Sequence, residues 1–230
     1  MSNATEARRL LRAHRYGALS TLSKKLEGFP FGSITPYLLD HDGSLLIFIS
    51  ALAEHTRNIG HDPRVSLITH NQSDPNIQMQ GRVTVAGNAH RLIDQKNPCA
   101  RYLRHFPEAA ELMMLDFSFY RIQPVAIRYI GGVGRIHWVN MEAYTVAQAA
   151  IFARHEEAYL FDINARQQEA LCRLLHQYHG VVAPDAEAIA LDCDGMDVRS
   201  KNQFWRLDFI ETITDPLQLK SISTLRYHIP

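Results

Sequence analysis

The chain has 230 residues, of which 46% are hydrophobic, and its 24 Lys and Arg balance 24 Asp and Glu. This composition is typical of a globular protein that buries about 70% of its unfolded surface without needing disulfides or metals. Zero net charge excludes proteins that bind nucleic acid through a general excess of basic residues. The apolar runs are too short to span a bilayer. We therefore expect neither a nucleic acid nor a membrane as a partner.

The cysteines indicate neither a disulfide framework nor a metal centre. Cys99, Cys172 and Cys193 are far apart and contain no CxxC pair, so we expect free thiols in a reducing compartment. The first residues have no basic segment leading into an apolar one, so no signal peptide is predicted. Together these features indicate a cytoplasmic location.

The first half of the chain is predicted to be rich in short strands. A helix begins at Asn3, where Asn3 and Glu6 can form a capping box and Ala7 and Leu11 recur on one face. Short helices are predicted at 53–60, with Gly60 as a left-handed cap, and at 98–114, with a break at Pro107. The predicted strands are 16–22, 33–39, 45–50, 64–69, 77–86 with a bulge at Gly81, 119–122, 125–130 and 135–139. Many short strands with few helices between them favour a β-barrel over a parallel α/β sheet.

The composition changes past residue 140, which indicates a second domain. A linking helix is predicted at 141–158 and an amphipathic helix at 164–179. Strands at 189–191, 195–199 and 204–209 and a last helix from Pro216 complete a small α+β unit. We therefore divide the chain into 1–145 and 146–230.

The stretch from Ser50 to Ile59 carries the first candidate site. A hydroxyl at a strand end, Ser50, precedes His55, Thr56 and Asn58 at the start of a helix. Helix N-termini favour phosphate because their free N–H groups and dipole point outward. A solvated helix cap explains the same residues equally well, so both interpretations stay open here.

A glycine-rich stretch carries the second candidate site. Gly131, Gly132 and Gly134 precede a short strand on which Arg135 and His137 share one face. Glycines let the backbone approach a flat ligand closely. A bent barrel corner with Trp138 in the core is the alternative, and the sequence pattern does not decide between the two.

These two stretches carry a family resemblance. The strings SALAEHTRNIGHDPRVSL and RYIGGVGRIHW resemble the FMN-binding split-barrel superfamily that contains pyridoxamine 5′-phosphate oxidase, and more closely its haem-utilisation (HugZ-type) branch. The similarity covers about residues 7–140. Residues 160–228, with ALDCDGMDVR and WRLDF, resemble the small α+β domain that often follows the barrel in that branch. The resemblance implies a mainly β plus α+β protein: a six-stranded antiparallel split barrel with flanking helices, then a small α+β domain.

The resemblance also implies a cofactor, a partner and site residues. FMN lies at the interface of a homodimer, and a small-molecule ligand binds on the flavin. The side chains implied to bind the FMN phosphate are those of Ser50, His55, Thr56 and Asn58. The resemblance further implies that Asn76 and Arg135 contact the cofactor and that Arg135 and His137 contact the substrate. No residue is assigned as catalytic, and no metal ligand is assigned.

The chain departs from the oxidase pattern at three places. Glu54 and His55 replace an Arg-Lys pair, which removes positive charge beside the implied phosphate. The oxidase's Tyr/Arg/Ser trio has no counterpart at 101–110, so oxidation of pyridoxamine phosphate is not expected. In the second domain Asn164-Ala165-Arg166-Gln167 replaces an Asn-x-Asp-His motif, so no axial haem ligand is assigned.

Three functions follow from these features. The first is an FMN-dependent oxidoreductase, in which the flavin supplies the redox chemistry. The second is a haem-binding or haem-degrading protein on the same barrel. The third is a dimeric scaffold or interaction protein that has lost its cofactor.

Overall fold

A computed structural model of the chain describes residues 2–71, 76–146, 149–215, 218–219 and 221–228. It contains two compact units, Met1–Thr145 and Val146–Pro230. Each unit has its own buried hydrophobic clusters.

The first unit consists of strands with short helices at their ends. Its helices are α1 (Asn3–Ala13), α2 (Glu54–His61), α3 (Lys96–His105), α4 (Ala109–Leu112) and α5 (Met141–Tyr144). Its strands are β1 (Tyr16–Leu22), β2 (Pro30–Pro36), β3 (Leu38–Leu39), β4 (Leu45–Ser50), β5 (Arg64–His70), β6 (Arg82–Arg91), β7 (Phe117–Ile130) and β8 (Ile136–Trp138). The predicted break at Pro107 is confirmed, because α3 ends before it and α4 begins after it.

The strands of this unit form a curled antiparallel sheet. Their order is β2-β1-β5-β6-β7-β4-β3, and β8 pairs with β7. Strands β2 and β3 lie at opposite ends of this order, yet only Tyr37 separates them in the chain. The sheet must therefore curl until its two edges meet, as the predicted split barrel requires. Tyr37 is buried, and its hydroxyl donates to the Leu11 carbonyl at 2.7 Å.

The strand count of the first unit differs from the predicted six, because its described residues form eight strands. The predicted strand 33–39 divides at Tyr37 into β2 and β3, and the short β8 adds to the end of β7. The predicted strands 119–122 and 125–130 are one strand, because β7 continues through Pro124.

Local capping and bending also differ from the sequence prediction. The N-cap of α1 is Ser2, whose hydroxyl accepts from the Thr5 N–H, instead of Asn3. Gly60 lies inside α2, which ends at His61 without a left-handed residue. Strand β6 begins at Arg82, and the sheet bends between Ala86 and Gly87 rather than at Gly81.

The second unit packs two helices against a three-stranded antiparallel sheet. Its elements are α6 (Ala149–Arg166), α7 (Gln168–His179), β9 (Glu187–Asp192), β10 (Gly195–Ser200), β11 (Gln203–Asp208) and a 3-10 turn (Ile222–Thr224), and the strand order is β11-β10-β9. The predicted linking helix 141–158 is interrupted, since α5 ends at Tyr144 and α6 begins at Ala149. The predicted last helix starts at Pro216, which lies outside the described residues.

Candidate functional site

The predicted phosphate donors lie where β4 gives way to α2, but their side chains already have partners. The Ser50 hydroxyl is 3.0 Å from a carboxylate oxygen of Asp116, to which it donates. The Thr56 hydroxyl donates to the Ser50 carbonyl at 2.6 Å. Asn58 is fully buried; its amide donates to the Thr21 hydroxyl and accepts from the backbone N–H of Lys24. These hydrogen bonds hold the strand-to-helix junction together.

The electrostatics of this junction disfavour a phosphate. Asp116 lies against Ser50, and Glu54 occupies the first turn of α2. Arg57, the nearby cation, is largely exposed and lies 3.9 Å from Glu54. Burial lowers the pKa of His55, which favours its neutral form. A dianionic phosphate at this junction would therefore lie near the carboxylates of Asp116 and Glu54, and the described side chains of α2 add no buried cation there.

The second predicted group lies at the other end of β7. Arg135 forms an ion pair with Glu6 of α1 at 2.6 Å. His137 is half-buried and faces Tyr129 across the β7–β8 pair. Burial and a hydrogen bond to Glu6 raise the pKa of Tyr129 to about 12, so its hydroxyl stays protonated. Arg135, Glu6 and Tyr129 thus form one polar cluster beside Gly131.

The structure does not bring the predicted site residues into one cluster within a chain. Ser50 pairs with Phe117 at one end of β7, and His137 pairs with Tyr129 near the other end. At about 3.3 Å per residue the two positions are about 40 Å apart along the strand. Asn76, the predicted flavin contact, is exposed in the turn before β6, and its carbonyl accepts from the Met79 N–H. A single ligand could contact both groups only if a second chain supplied one of them.

The outward side of the curled sheet presents a different surface, which we call the outer face. It consists of three cross-strand rows, because directly opposed residues in antiparallel strands point to the same side. The small row is Gly32, Ser20, Ser66, Ala86 and Ala126; the central row is Ile34, Ala18, Ile68, Thr84, Arg128 and Trp138; the His70 row is Tyr16, His70, Arg82, Ile130 and Ile136. Tyr16, which pairs with Pro36 of β2, lies just beyond the part of β1 that pairs with β5, and its carbonyl accepts from the Thr69 hydroxyl.

The outer face combines apolar side chains with cations. Ile34 and Trp138 are each 68% exposed, and Tyr16 and Ile136 are about half exposed. The Arg128 guanidinium lies 4.9 Å from the centre of the Trp138 ring, a distance typical of a cation–π contact. The central row and the His70 row contain no Asp or Glu. This face can therefore receive a flat apolar ligand that carries negative charge.

The outer face was not predicted from the sequence, although part of its signal is visible there. In β5, Ser66, Ile68 and His70 alternate with the buried Val65 and Leu67, so their shared side could have been predicted. Their neighbours on β1 and β6 depend on the strand pairing, which alternation within one strand does not reveal.

The curled antiparallel sheet, with its helices at the strand ends and a small sheet unit after it, defines a split-barrel protein. The chain belongs to the pyridoxamine 5'-phosphate oxidase family, whose sequence model matches residues 4–131. Among the described residues, no helix combines the length and the hydrophobicity needed to cross a bilayer.

Three relatives extend this similarity over both units. The chain is 30% identical over 210 residues to the non-canonical heme oxygenase HOZ, chloroplastic, of Arabidopsis thaliana, a match that spans 88% of this chain and 64% of HOZ. The structure of a heme binding protein from Mycobacterium smegmatis is 28% identical, with a TM-score of 0.58, and the match covers 96% of this chain and 93% of that one. A protein of unknown function from Agrobacterium tumefaciens shares the fold, with a TM-score of 0.77 at 24% identity over 94% of this chain and 91% of that one.

Proposed function

We propose that this protein binds haem on its split-barrel unit and acts in haem turnover. The observation that carries the proposal is that two relatives named for haem match nearly the whole chain, both the barrel and the small unit that follows it. Because the chain spans 64% of the length of HOZ, the oxygenase activity of that protein is a proposal for this chain and needs its own test.

The junction predicted to hold FMN supports haem over FMN. Ser50, Thr56 and Asn58 already donate within the chain, and a phosphate would have to break these hydrogen bonds. It would also have to approach the carboxylate of Asp116, which lies on Ser50. Like charges side by side repel, so the position of Asp116 supports haem over FMN.

The outer face supports haem because its chemistry matches that of a metalloporphyrin. A porphyrin is flat and apolar, and its two propionates are anions at neutral pH. Ile130 and Ile136 of the His70 row supply apolar surface, while Arg82 in the same row supplies a cation. In the described part of the chain Arg82 has no carboxylate partner. When bound, haem would supply iron-centred redox chemistry, and these residues would hold and orient its plane and its carboxylates.

The outer face also suggests how two copies of the chain would associate. The large side chains of the central row, Ile34, Ile68 and Trp138, stand beside the small row, which has no side chain larger than that of serine. A two-fold axis can place the central row of each copy against the small row of the other. The homodimer is therefore a proposal in which the His70 row lies at the rim of the interface. A cytoplasmic location stays a prediction.

Titration of the purified protein with hemin and, separately, with FMN tests the proposed function. We expect the Soret band to move away from its free-hemin position at a stoichiometric end point, and FMN fluorescence to stay unquenched. Addition of a reductant under oxygen then tests ring opening through loss of the Soret band. An unchanged Soret band with quenched FMN fluorescence would return the protein to the flavin hypothesis. No response to either compound would favour the scaffold.

A further inference from the structure

His70 stands out among the histidines because of how its ring is held. It ends β5 on the outer face, half-buried, with Arg82 directly opposite on β6. Its Nδ1 lies 2.8 Å from the Asn71 carbonyl oxygen. A carbonyl oxygen can only accept, so Nδ1 carries the proton and the lone pair lies on Nε2. Within the described residues Nε2 has no hydrogen bond. A histidine whose Nδ1–H donates to a backbone carbonyl is oriented as metal-ligating histidines are.

The surroundings of His70 suit a haem iron ligand. Ile68 precedes it on the same face, and Ile130 and Ile136 continue its row across β7 and β8. From β1 to β8 this row crosses five strands, or about 19 Å at about 4.8 Å per strand spacing. The row therefore offers an extended surface beside the imidazole of His70. A porphyrin ring needs such a surface in order to lie against the sheet.

A cation near His70 matches the negative charge of the ligand. Arg82 is its direct cross-strand neighbour, and one nitrogen of its guanidinium donates to the Ile77 carbonyl at 3.2 Å. The His70 row contains no Asp or Glu, so among the described residues of this row a propionate would meet the guanidinium without a competing carboxylate.

We infer that His70 coordinates the iron of haem bound on the outer face along the His70 row, through Nε2, with Arg82 holding a carboxylate. This inference rests on the proposed function and adds to it the ligand and the place. The predicted site histidines are less suited to this role. His55 lies beside Glu54 at the α2 junction, and His137 lies against Tyr129 next to the Arg135–Glu6 ion pair.

Hemin titration of His70→Gln, His70→Met and the control His90→Gln, with the full-length protein, tests this inference. Glutamine is not a haem ligand, whereas methionine is one. We expect H70Q to lose the Soret shift and bind hemin at least about tenfold more weakly. H70M should restore a shifted but different Soret band and a changed low-temperature EPR spectrum. His90, exposed at the far end of β6, should tolerate the change with an unaltered spectrum.

The outcomes separate the ligand from the function. A wild-type protein with only the free-hemin spectrum refutes the proposed function, and the ligand assignment falls with it. A wild-type protein that shifts the Soret band, together with an H70Q protein that gives the same band and EPR spectrum, leaves haem binding intact and overturns the role of His70. If H70Q loses its far-UV circular dichroism and is therefore unfolded, the H70M variant tests the assignment instead. Soret and EPR spectra of hemin-loaded H70M identical to those of the wild type overturn His70 as the iron ligand, and altered spectra support it.

Discussion

Gly87 lies where the long pair of β6 and β7 bends. Its partner on β7 is Pro124, whereas Ala86 pairs with Ala126, so Val125 is the extra residue of a bulge. A Cβ atom at Gly87 would overlap the carbonyl oxygen of Gln123 and come within 3.1 Å of the Ile122 side chain. The bend therefore needs a residue without a side chain for reasons of space rather than of backbone angle.

Gly87→Ala is expected to destabilise the barrel unit by about 1–3 kcal/mol, because backbone atoms of β7 must move to admit the methyl group. The matched control is Gly60→Ala, since Gly60 is helical and a Cβ there meets nothing within 4 Å. Alanine should stabilise α2 by up to about 1 kcal/mol. Urea unfolding followed by circular dichroism measures both changes. Equal effects at the two positions would contradict the bulge geometry.

In the second unit, Arg206 is a single residue on which the local structure depends, because of its charge. Its guanidinium is buried and bonds Asp192, Asp197 and Asp208 at 3.0, 2.9 and 2.8 Å. Burial alone would lower the pKa of Arg206, but the three carboxylates raise it well above its ordinary value. The Arg206 side chain therefore stays charged and neutralises the cluster of three carboxylates.

Arg206→Met should destabilise the second unit by about 3–5 kcal/mol, because it removes the buried guanidinium that neutralises these carboxylates. The comparison is Arg226→Met, which removes an exposed ion pair with Glu211 and should cost less than about 1 kcal/mol. Thermal unfolding of the full chain reports both. A small effect of R206M would mean that water reaches these carboxylates.

At the scale of elements, the sequence reveals which residues alternate but not which strands meet. Strand β5 could be placed from its alternating apolar residues, and the break at Pro107 from the geometry of proline. The division at Tyr37 could not be predicted, because it depends on two distant sheet edges meeting there. Asn58 was predicted to be an anion donor because its real partners could not be predicted. These partners are Thr21 and Lys24, which lie far away in the sequence, and the helix pattern around Asn58 does not reveal that they are neighbours.

Strand β6 allows the carboxylate contacts of haem to be tested apart from the iron. Arg82→Met should weaken hemin binding about tenfold, since it removes a charge-assisted contact to a propionate. The same variant should bind hemin dimethyl ester as the wild type does, because the ester has no carboxylates. Arg91→Met, on the same strand with its guanidinium on Ser118, should change neither affinity. A loss of affinity for the ester that equals the loss for hemin would show that Arg82 acts through the fold.

At the scale of the whole molecule, the two units are built on separate cores. The barrel core includes Leu19, Leu67 and Val85, and the core of the second unit includes Leu171, Leu175 and Met196. The family model matches only the barrel, whereas the haem-named relatives match both units. The pairing of a barrel with this second unit therefore distinguishes the chain within its family better than the barrel alone.

The self-complementary outer face predicts a homodimer that a single charge disrupts. Ile34→Glu and Ile68→Glu place a carboxylate in the central row, which would be desolvated against the small row of the partner at a cost of several kcal/mol. Both side chains are exposed in the single chain, 68% and 37% respectively, so the fold should survive. Light scattering after gel filtration is expected to give a dimer for the wild type and a monomer for each variant. The control Ile93→Glu, fully exposed and outside the three rows, should remain dimeric. A monomeric wild type would refute the homodimer, and variants that stay dimeric would show that the dimer interface lies outside the central row. In either case the His70 row would have to bind haem without contacts from a second chain at this face.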